Sequence, residues 1–182
     1  NTNPAAKKLY DSAIKSLKKN NLLEAESFTA QAIALDETNA EYWLKLGIIW
    51  GKMGRHGESV EASTMALSLA PTSADALYNL GLSYMNLGDE TKGLDYLAQS
   101  YRAAPSDDLA EKLALIFQNK NDYKTSAYYL LQIYKTKKSV MKETLQFHLA
   151  QALYYNGDLN QSLAIAIGLM KRVAGNIAYN NL

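Results

Sequence analysis

The sequence predicts an all-α solenoid, a fold in which short helical hairpins stack one upon the next. The stretch from Trp43 to Pro71 has a near-copy that begins 34 residues later, at Leu77. In both copies, apolar residues recur at intervals of three and four, which is the spacing of an amphipathic helix. All three prolines fall outside the helices assigned in this way, as expected because proline interrupts a helix interior.

Several residues recur at the same place in both copies and set the phase of the repeat. The pairs are Leu46-Gly47 with Leu80-Gly81, Gly54 with Gly88, Ala66 with Ser100, and Pro71 with Pro105. Together with Trp43 and Trp50, this pattern resembles the signature of the tetratricopeptide repeat family, of which the chain is identified as a member. The resemblance implies a right-handed superhelix that serves protein binding. Glycine at 47 and 81 would let paired helices approach closely.

Five hairpins are expected, after an N-terminal tail of residues 1–5. They cover about 6–39, 40–73, 74–106, 107–142 and 143–175, and extra residues near Lys135–Lys142 predict a longer connection there. The hairpin turns fall at Asn20, Gly54, Gly88, Asn121 and Gly157. Asn20 stands where the next two turns have glycine, which is expected if that site needs a left-handed backbone.

The second and third hairpins carry the clearest pattern, and we expect Trp43, Leu46, Ala66 and Leu80 to be buried in them. In the third hairpin, the apolar stripe that faces inward consists of Leu80, Tyr84, Leu87, Leu94 and Leu97. The first hairpin is a weaker copy, because Ser16 and Thr29 stand where bulky apolar residues usually lie. It is therefore expected to pack less well or to cap the array.

Residues 176–182 resemble the opening of a further repeat, because Tyr179-x2-Leu182 repeats the spacing of Leu77-x2-Leu80. An ordinary frayed tail is the alternative. If the array stops there, the fifth hairpin should expose the apolar stripe of Leu163, Ile167 and Met170. Self-association through that end is then expected.

Composition excludes several classes of function. The formal net charge is +1, which gives no overall attraction to nucleic acid or to an anionic membrane. No apolar run is long enough for membrane insertion, so a soluble protein of the cytoplasm or periplasm is expected. The chain starts without Met or a signal-peptide pattern, which suggests a processed or shortened N-terminus. There are no cysteines, and hence no disulfides, thiol nucleophile or thiolate metal site.

The sequence offers little for catalysis, and we expect no enzyme, no metal and no cofactor. His56 falls in a hairpin turn and His148 on the first helix of the fifth repeat, with no second histidine at ligand spacing. Two lysine clusters lie at helix ends or in a connection, where we expect the lysines to be solvated and to interact favourably with the C-terminal end of the helix dipole. These are Lys15, Lys18 and Lys19, and Lys135, Lys137, Lys138 and Lys142.

The first helix of each hairpin has a second face that mixes apolar, aromatic and amide side chains. Family members usually turn this face into a concave groove, and such side chains suit an adaptable peptide site. Packing between neighbouring first helices is the alternative explanation. The predicted partner-binding groove consists of Tyr10, Ile14, Leu44, Ile48, Tyr78, Asn79, Leu82, Met85, Lys112, Leu115, Phe147, Gln151 and Tyr154.

These features predict a protein–protein interaction scaffold that binds a peptide or helix of a partner in the groove. The alternative is a structural or oligomerisation segment of a larger secretion or envelope-assembly protein, with the groove filled by the chain itself or a sister copy. Some members of the family bind acidic chaperone tails through lysine and asparagine clamps. Leu44, Ile48 and Asp108 occupy clamp positions here, and only Asn79 and Lys112 match, so an apolar segment is the expected ligand.

Overall fold

The chain folds into helical hairpins, as the repeat pattern predicts. The structure is a computed structural model that describes residues 3–137 and 140–180, with side chains through residue 174; within those ranges it has ten α-helices and no strand. The helices are α1 (Pro4–Lys18), α2 (Leu22–Leu35), α3 (Ala40–Lys52), α4 (His56–Leu69), α5 (Ala74–Asn86), α6 (Glu90–Ala103), α7 (Asp107–Asn119), α8 (Tyr123–Lys137), α9 (Glu143–Tyr155) and α10 (Leu159–Asn180).

Internal contacts divide the chain into two units, Asn1–Ala104 and Pro105–Leu182. The first unit contains the hairpins α1/α2, α3/α4 and α5/α6, and the first helix of each later hairpin packs on the second helix of the hairpin before it. The second unit contains α7/α8 and α9/α10, with α9 packed against α8.

Four of the predicted hairpin starts, at residues 40, 74, 107 and 143, coincide with the first residue of a helix. The first hairpin differs, because α1 begins at Pro4 inside the expected tail. Proline fits there, since the first residue of a helix has no partner for its N–H and the ring presets a helical φ. Asn3 caps this helix by accepting from the N–H of Ala5 at 3.0 Å.

Each hairpin turn contains one residue with a left-handed backbone, which confirms the expectation for Asn20. Its φ is 57°, beside 79° at Gly54 and 85° at Gly88. The same holds in the second unit at Asn121, with φ 60°, and at Gly157, with φ 91°. Asparagine tolerates this region better than other non-glycine residues, which explains how it substitutes for glycine at two of the five turns.

Within the second hairpin, and again within the third, the two helices approach each other closely at a glycine, as the glycine positions predict. A Cβ built on Gly47 would lie 2.5 Å from Oγ of Ser63, and one on Gly81 would lie 2.6 Å from Cγ of Leu97. The backbone oxygen of Gly93 is 3.0 Å from that second Cβ. These distances are below van der Waals contact, so only glycine allows the helices of each pair to come this close.

Burial in these two hairpins follows the prediction with two corrections. Leu46, Ala66 and Leu80 are buried, with exposures of 4%, 1% and 1%. Trp43 is only half-buried, because its ring lies at the edge of the core and its Nε1 donates to the carbonyl oxygen of Glu37 at 2.8 Å. Leu87 is 52% exposed, because it caps the C-terminus of α5 instead of facing α6.

The first hairpin buries polar residues without losing their hydrogen bonds. Oγ of Ser16 donates to Oε2 of Glu24 at 2.7 Å, and Oγ1 of Thr29 donates to the carbonyl oxygen of Ala25 at the same distance. Both side chains are nearly inaccessible, with exposures of 4% and 0%. Because a buried hydroxyl is costly only when it is unpaired, these substitutions are compatible with a closed core.

The second unit closes around buried leucines, with Leu113, Leu130, Leu149 and Leu153 all at 1% exposure or less. Two of the predicted solvated lysines make ion pairs there: Lys137 pairs with Asp107, and Nζ of Lys142 lies 3.5 Å from Oε2 of Glu111. Lys138, from the same predicted cluster, lies outside the described residues. No helix in the described ranges has the length and hydropathy needed to cross a membrane.

The last helix is longer than the sequence interpretation allowed. α10 continues from Leu159 to Asn180, so its backbone passes through Gly175 without the break expected before a further repeat. The side chains of residues 175–182, on which the predicted likeness to another first helix depends, lie outside the described residues.

Candidate functional site

A pocket of about 530 Å³ lies in the first unit, between the first helices of the second and third hairpins. Residues along the whole length of α5 and in the C-terminal half of α3 line the pocket, together with His56 at the start of α4. The lining residues are Ile48, Gly51, Lys52, His56, Asp75, Tyr78, Asn79, Leu82, Ser83 and Asn86. The pocket therefore lies on the face of the first helices that the sequence predicts to bind a partner.

A buried polar network holds α5 against α3 and α4 beside this pocket. Nδ2 of Asn79 donates to Oγ of Ser63 at 2.7 Å and to Oγ of Ser59 at 3.1 Å. Oγ of Ser59 in turn lies 2.8 Å from the carbonyl oxygen of Gly47 and from Oγ of Ser83. All of these side chains are buried, so the network fixes the spacing of the helices that form the pocket.

We expect Asn79→Ala to lower the free energy of unfolding by about 1–3 kcal/mol, because it leaves buried serine hydroxyls without their amide partner. Urea denaturation of the purified chain measures this loss. Asn86→Ala on the same helix is the matched control, since Nδ2 of Asn86 bonds only the carbonyl oxygen of Leu82, one turn back on the exposed surface. The control should stay within about 0.5 kcal/mol of the parent. Equal effects of the two substitutions would contradict a structural role for the network.

The lining combines apolar side chains with polar groups of both charges. Ile48, Tyr78 and Leu82 provide apolar surface, whereas Lys52 and Asp75 bring opposite charges to the same pocket. Such a lining binds apolar side chains of a ligand while its polar groups set orientation. In the part of the chain with described side chains, no three of His, Asp and Glu lie close enough together to hold a metal ion.

Two of the predicted groove residues are instead buried, and the first is Tyr10. Its exposure is 8%, its hydroxyl donates to Oε1 of Glu41 at 2.7 Å, and its ring centroid lies 4.9 Å from that of Tyr42. Burial, and then the hydrogen bond to Glu41, raise the pKa of the Tyr10 hydroxyl. Ile14 packs partly against the same core. The first hairpin therefore uses Tyr10 to pack on α3 of the second hairpin.

The second buried residue is Asn79, at 8% exposure, whose amide is committed to the serine network. The other predicted residues of the first unit remain partly accessible. Ile48, Tyr78 and Leu82 line the pocket, whereas Leu44 does not. The side chain of Met85 packs against α6, since its Cγ lies 2.6 Å from the position that a Cβ on Gly93 would take.

In the second unit, Lys112 is exposed and Leu115 is half-buried on α7. Phe147, Gln151 and Tyr154 line a second pocket of about 430 Å³, formed by α9 and α10. Nε2 of Gln118 donates to Oε1 of Gln151 at 2.7 Å. Phe147, Gln151 and Tyr154 thus border α10, while Gln151 also contacts α7, the first helix of the preceding hairpin.

Sequence reasoning missed His56 and Asp75 as members of the first pocket. His56 was assigned to the hairpin turn, but it is the first residue of α4 and lines the pocket. Asp75 was absent from the predicted face, although its place in the first turn of α5 was a usable signal. A negative charge in the first turn interacts favourably with the helix dipole. Asp75 also lies at one end of the pocket.

Comparisons with known proteins agree with the repeat assignment. The tetratricopeptide repeat family model matches residues 74–107, which are α5, α6 and the residues that flank them. The peroxisomal targeting signal receptor of Candida albicans is 36% identical over 67 residues. That match covers 37% of this chain and 11% of the receptor, so the chain spans only a small part of that relative.

Solved structures share the fold over nearly the whole chain. The crystal structure of MamA protein has a TM-score of 0.73 at 18% identity and covers 96% of this chain and 95% of its own. A tetratricopeptide repeat protein from Parabacteroides merdae has a TM-score of 0.72 at 18% identity, covering 94% and 68%. Naa15/Naa10 bound to HypK-THB has a TM-score of 0.77 at 15% identity, covering 92% and 25%. At these identities the likeness shows the fold alone.

Proposed function

Since this chain is a tetratricopeptide repeat protein, we propose that it is a protein interaction scaffold whose pocket between α3 and α5 binds a peptide or helix of a partner. The observation that carries this proposal is the open pocket of about 530 Å³ on the first helices, with its mixed lining. Partner binding is consistent with one structural neighbour, Naa15/Naa10, which is itself bound to HypK-THB.

The chemistry of the lining favours a ligand segment with apolar side chains. Ile48, Tyr78 and Leu82 offer apolar surface, and Leu82 is 37% exposed. Lys52 and Asp75 lie in the same lining, so polar groups of both signs can fix the direction of a bound segment. An acidic tail is disfavoured, because the amide of Asn79 is already bonded to serine hydroxyls and Leu44 and Ile48 carry no charge.

The proposal is tested by replacing Tyr78 and Leu82 together with serine. A displayed library of helical and extended peptides would supply the ligand, and fluorescence anisotropy would measure its affinity for each variant. We expect the double variant to bind about tenfold or more weakly, because it loses two apolar contacts in the pocket. Its circular dichroism spectrum should stay helical, since both side chains are partly solvent-exposed in the free chain.

Leu23→Ser with Leu87→Ser is the matched control, because these leucines are 71% and 52% exposed and lie outside the pocket. The control should bind as the parent does. Equal weakening in both double variants would place the ligand elsewhere. Light scattering separates this function from the oligomerisation alternative, since a scaffold with an open pocket stays monomeric whereas an assembly segment forms larger species as concentration rises.

A further inference from the structure

The second unit buries three polar side-chain atoms that bond to no other atom in the described part of the chain. They are Oε1 of Gln118 on α7, Oγ of Ser126 on α8 and Nδ1 of His148 on α9. The whole side chain of Ser126 is inaccessible, at 0% exposure. A buried polar atom without a hydrogen bond costs free energy, so three of them on the helices of one unit require an explanation.

The hairpin turns show which residues of the first unit correspond to these three. The turn residues Gly54 and Asn121 lie 67 residues apart, and Gly88 and Gly157 lie 69 apart. The backbone hydrogen bonds around the two turns of each pair also match. On this alignment, Gln118, Ser126 and His148 correspond to Gly51, Ser59 and Asn79.

In the first unit the corresponding residues meet at one point inside the protein. Nδ2 of Asn79 donates to Oγ of Ser59 at 3.1 Å. A Cβ built on Gly51 would lie 3.3 Å from the same hydroxyl oxygen and 3.8 Å from Oδ1 of Asn79. The three unpaired atoms of the second unit therefore converge on one small region between α7, α8 and α9.

A hydrogen bond between α7 and α9 supports this placement. Nε2 of Gln118 donates to Oε1 of Gln151 at 2.7 Å. The residues that correspond to these two glutamines, Gly51 and Leu82, both line the first pocket. The side chain of Gln118 thus stands between the two first helices, where Gly51 has no side chain and α3 packs directly on α5.

The hydroxyl of Ser126 also differs from its counterparts in two other hairpins. Oγ of Ser59 donates to the carbonyl oxygen of Gly47 at 2.8 Å, and Oγ of Ser162 donates to that of Ala150 at 2.7 Å. Ser126 makes no such bond to the carbonyl oxygen of its own first helix. Its hydrogen is therefore available to an acceptor that the protein itself does not supply.

We propose that the region between α7, α8 and α9 is a binding site for one water molecule. A buried water in a protein typically makes about three hydrogen bonds, and the site offers three unpaired atoms. The donors and acceptors balance: the water donates to Oε1 of Gln118 and to Nδ1 of His148, and it accepts from the hydroxyl of Ser126. A metal ion is a poor occupant, because none of the three groups is a carboxylate.

This water takes over the task that the amide of Asn79 performs in the first unit. There, the amide holds α5 on the serine hydroxyls of α4. In the second unit, the water joins α9 to α7 and α8. It also fixes the tautomer of His148, because Nδ1 accepts from the water and the proton of the neutral ring is then on Nε2.

Ser126→Ala in the full chain tests the site through the sign of its effect. We expect the melting temperature to fall by about 2–4 °C, because the water loses one of its three partners. If the hydroxyl were simply unpaired, its removal would end a penalty and the melting temperature would rise. Ser12→Ala is the matched control for helix propensity, since Oγ of Ser12 bonds only within α1, to the carbonyl oxygen of Lys8. The control should leave the melting temperature unchanged or slightly higher.

A crystal structure of the full chain identifies what the three atoms bind. We expect one ordered water within hydrogen-bond distance of Gln118, Ser126 and His148. Long-range proton–nitrogen spectra at about pH 8, where an ordinary imidazole is neutral, should show His148 protonated on Nε2. His56→Gln assigns the signals, because the chain has two histidines. The proposal is overturned if the three side chains bond directly to one another or to backbone carbonyls with no water between them. A proton on Nδ1, or a higher melting temperature for Ser126→Ala, also overturns it.

Discussion

Replacing Leu80 by alanine is expected to lower the free energy of unfolding of the first unit by about 2–5 kcal/mol. Leu80 is 1% exposed and lies on α5 in the hairpin where α5 and α6 meet. The substitution removes three carbon atoms from a closed site, and the glycine contact between Gly81 and Gly93 keeps the helices from moving inward to refill the space. The loss therefore includes a cavity in addition to the lost burial.

Leu87→Ala is the matched control for this experiment. Both leucines belong to the stripe that the sequence predicted to face inward, yet Leu87 is 52% exposed. Its substitution should change stability by about 0.5 kcal/mol or less. Urea denaturation followed by far-ultraviolet circular dichroism measures both variants. Similar losses for the two leucines would show that the third hairpin packs differently from the arrangement described.

Gly81→Ala is expected to destabilise the first unit by about 1–3 kcal/mol, although alanine is the better helix former. The added methyl would lie 2.6 and 2.8 Å from two atoms of the Leu97 side chain and 3.0 Å from the backbone oxygen of Gly93. Leucine can rotate to relieve part of the clash, but the backbone of α6 can yield only if the two helices separate. The steric cost thus exceeds the gain in helix propensity.

The opposite sign is expected at Gly57, in the first turn of α4, where an added Cβ would have no atom within 4 Å. Gly57→Ala should stabilise the chain by about 0.5–1 kcal/mol, because alanine loses less backbone entropy in a helix. Thermal denaturation of Gly81→Ala and Gly57→Ala, each compared with the parent chain, measures both changes in stability. If both glycine substitutions stabilise the chain, the close approach of α5 and α6 is not a constraint.

The sequence predicted the hairpins well because their determinants are local. A left-handed turn needs glycine or asparagine, and Asn20 and Asn121 reveal two turns even where glycine is absent. Close helix contacts need a missing side chain, and Gly47 and Gly81 mark them directly. Such signals need no knowledge of the neighbouring hairpin, so a repeating pattern is sufficient to place them.

The candidate site was harder to predict, because its residues lie at the border between two faces of a helix. Periodicity gives the angular position of a side chain, whereas its exposure depends on how far the next hairpin reaches. Tyr10 is covered by the second hairpin and bonded to Glu41, and the amide of Asn79 finds serine hydroxyls on α4. These partners lie 16 to 31 residues away in the chain, outside the reach of a local pattern.

The second pocket also contains contacts that local periodicity does not predict. Phe147, Gln151 and Tyr154 were assigned to a face shared by first helices; Gln151 does contact Gln118 on α7, and all three also border α10. The sequence alone predicted an exposed stripe at Leu163, Ile167 and Met170, and the structure confirms that exposure.

Both tryptophans lie on α3, and their placement makes intrinsic fluorescence specific to one unit. Nε1 of Trp50 donates to Oε1 of Glu26 on α2 at 2.7 Å, and the guanidinium carbon of Arg55 lies 5.1 Å from the centre of its ring. Residues 105–182 contain no tryptophan. Emission therefore reports loss of the contact between the first two hairpins, while circular dichroism sums over both units. If one sample is heated and followed by both probes, the difference between the fluorescence and circular dichroism melting curves measures how cooperatively the two units unfold.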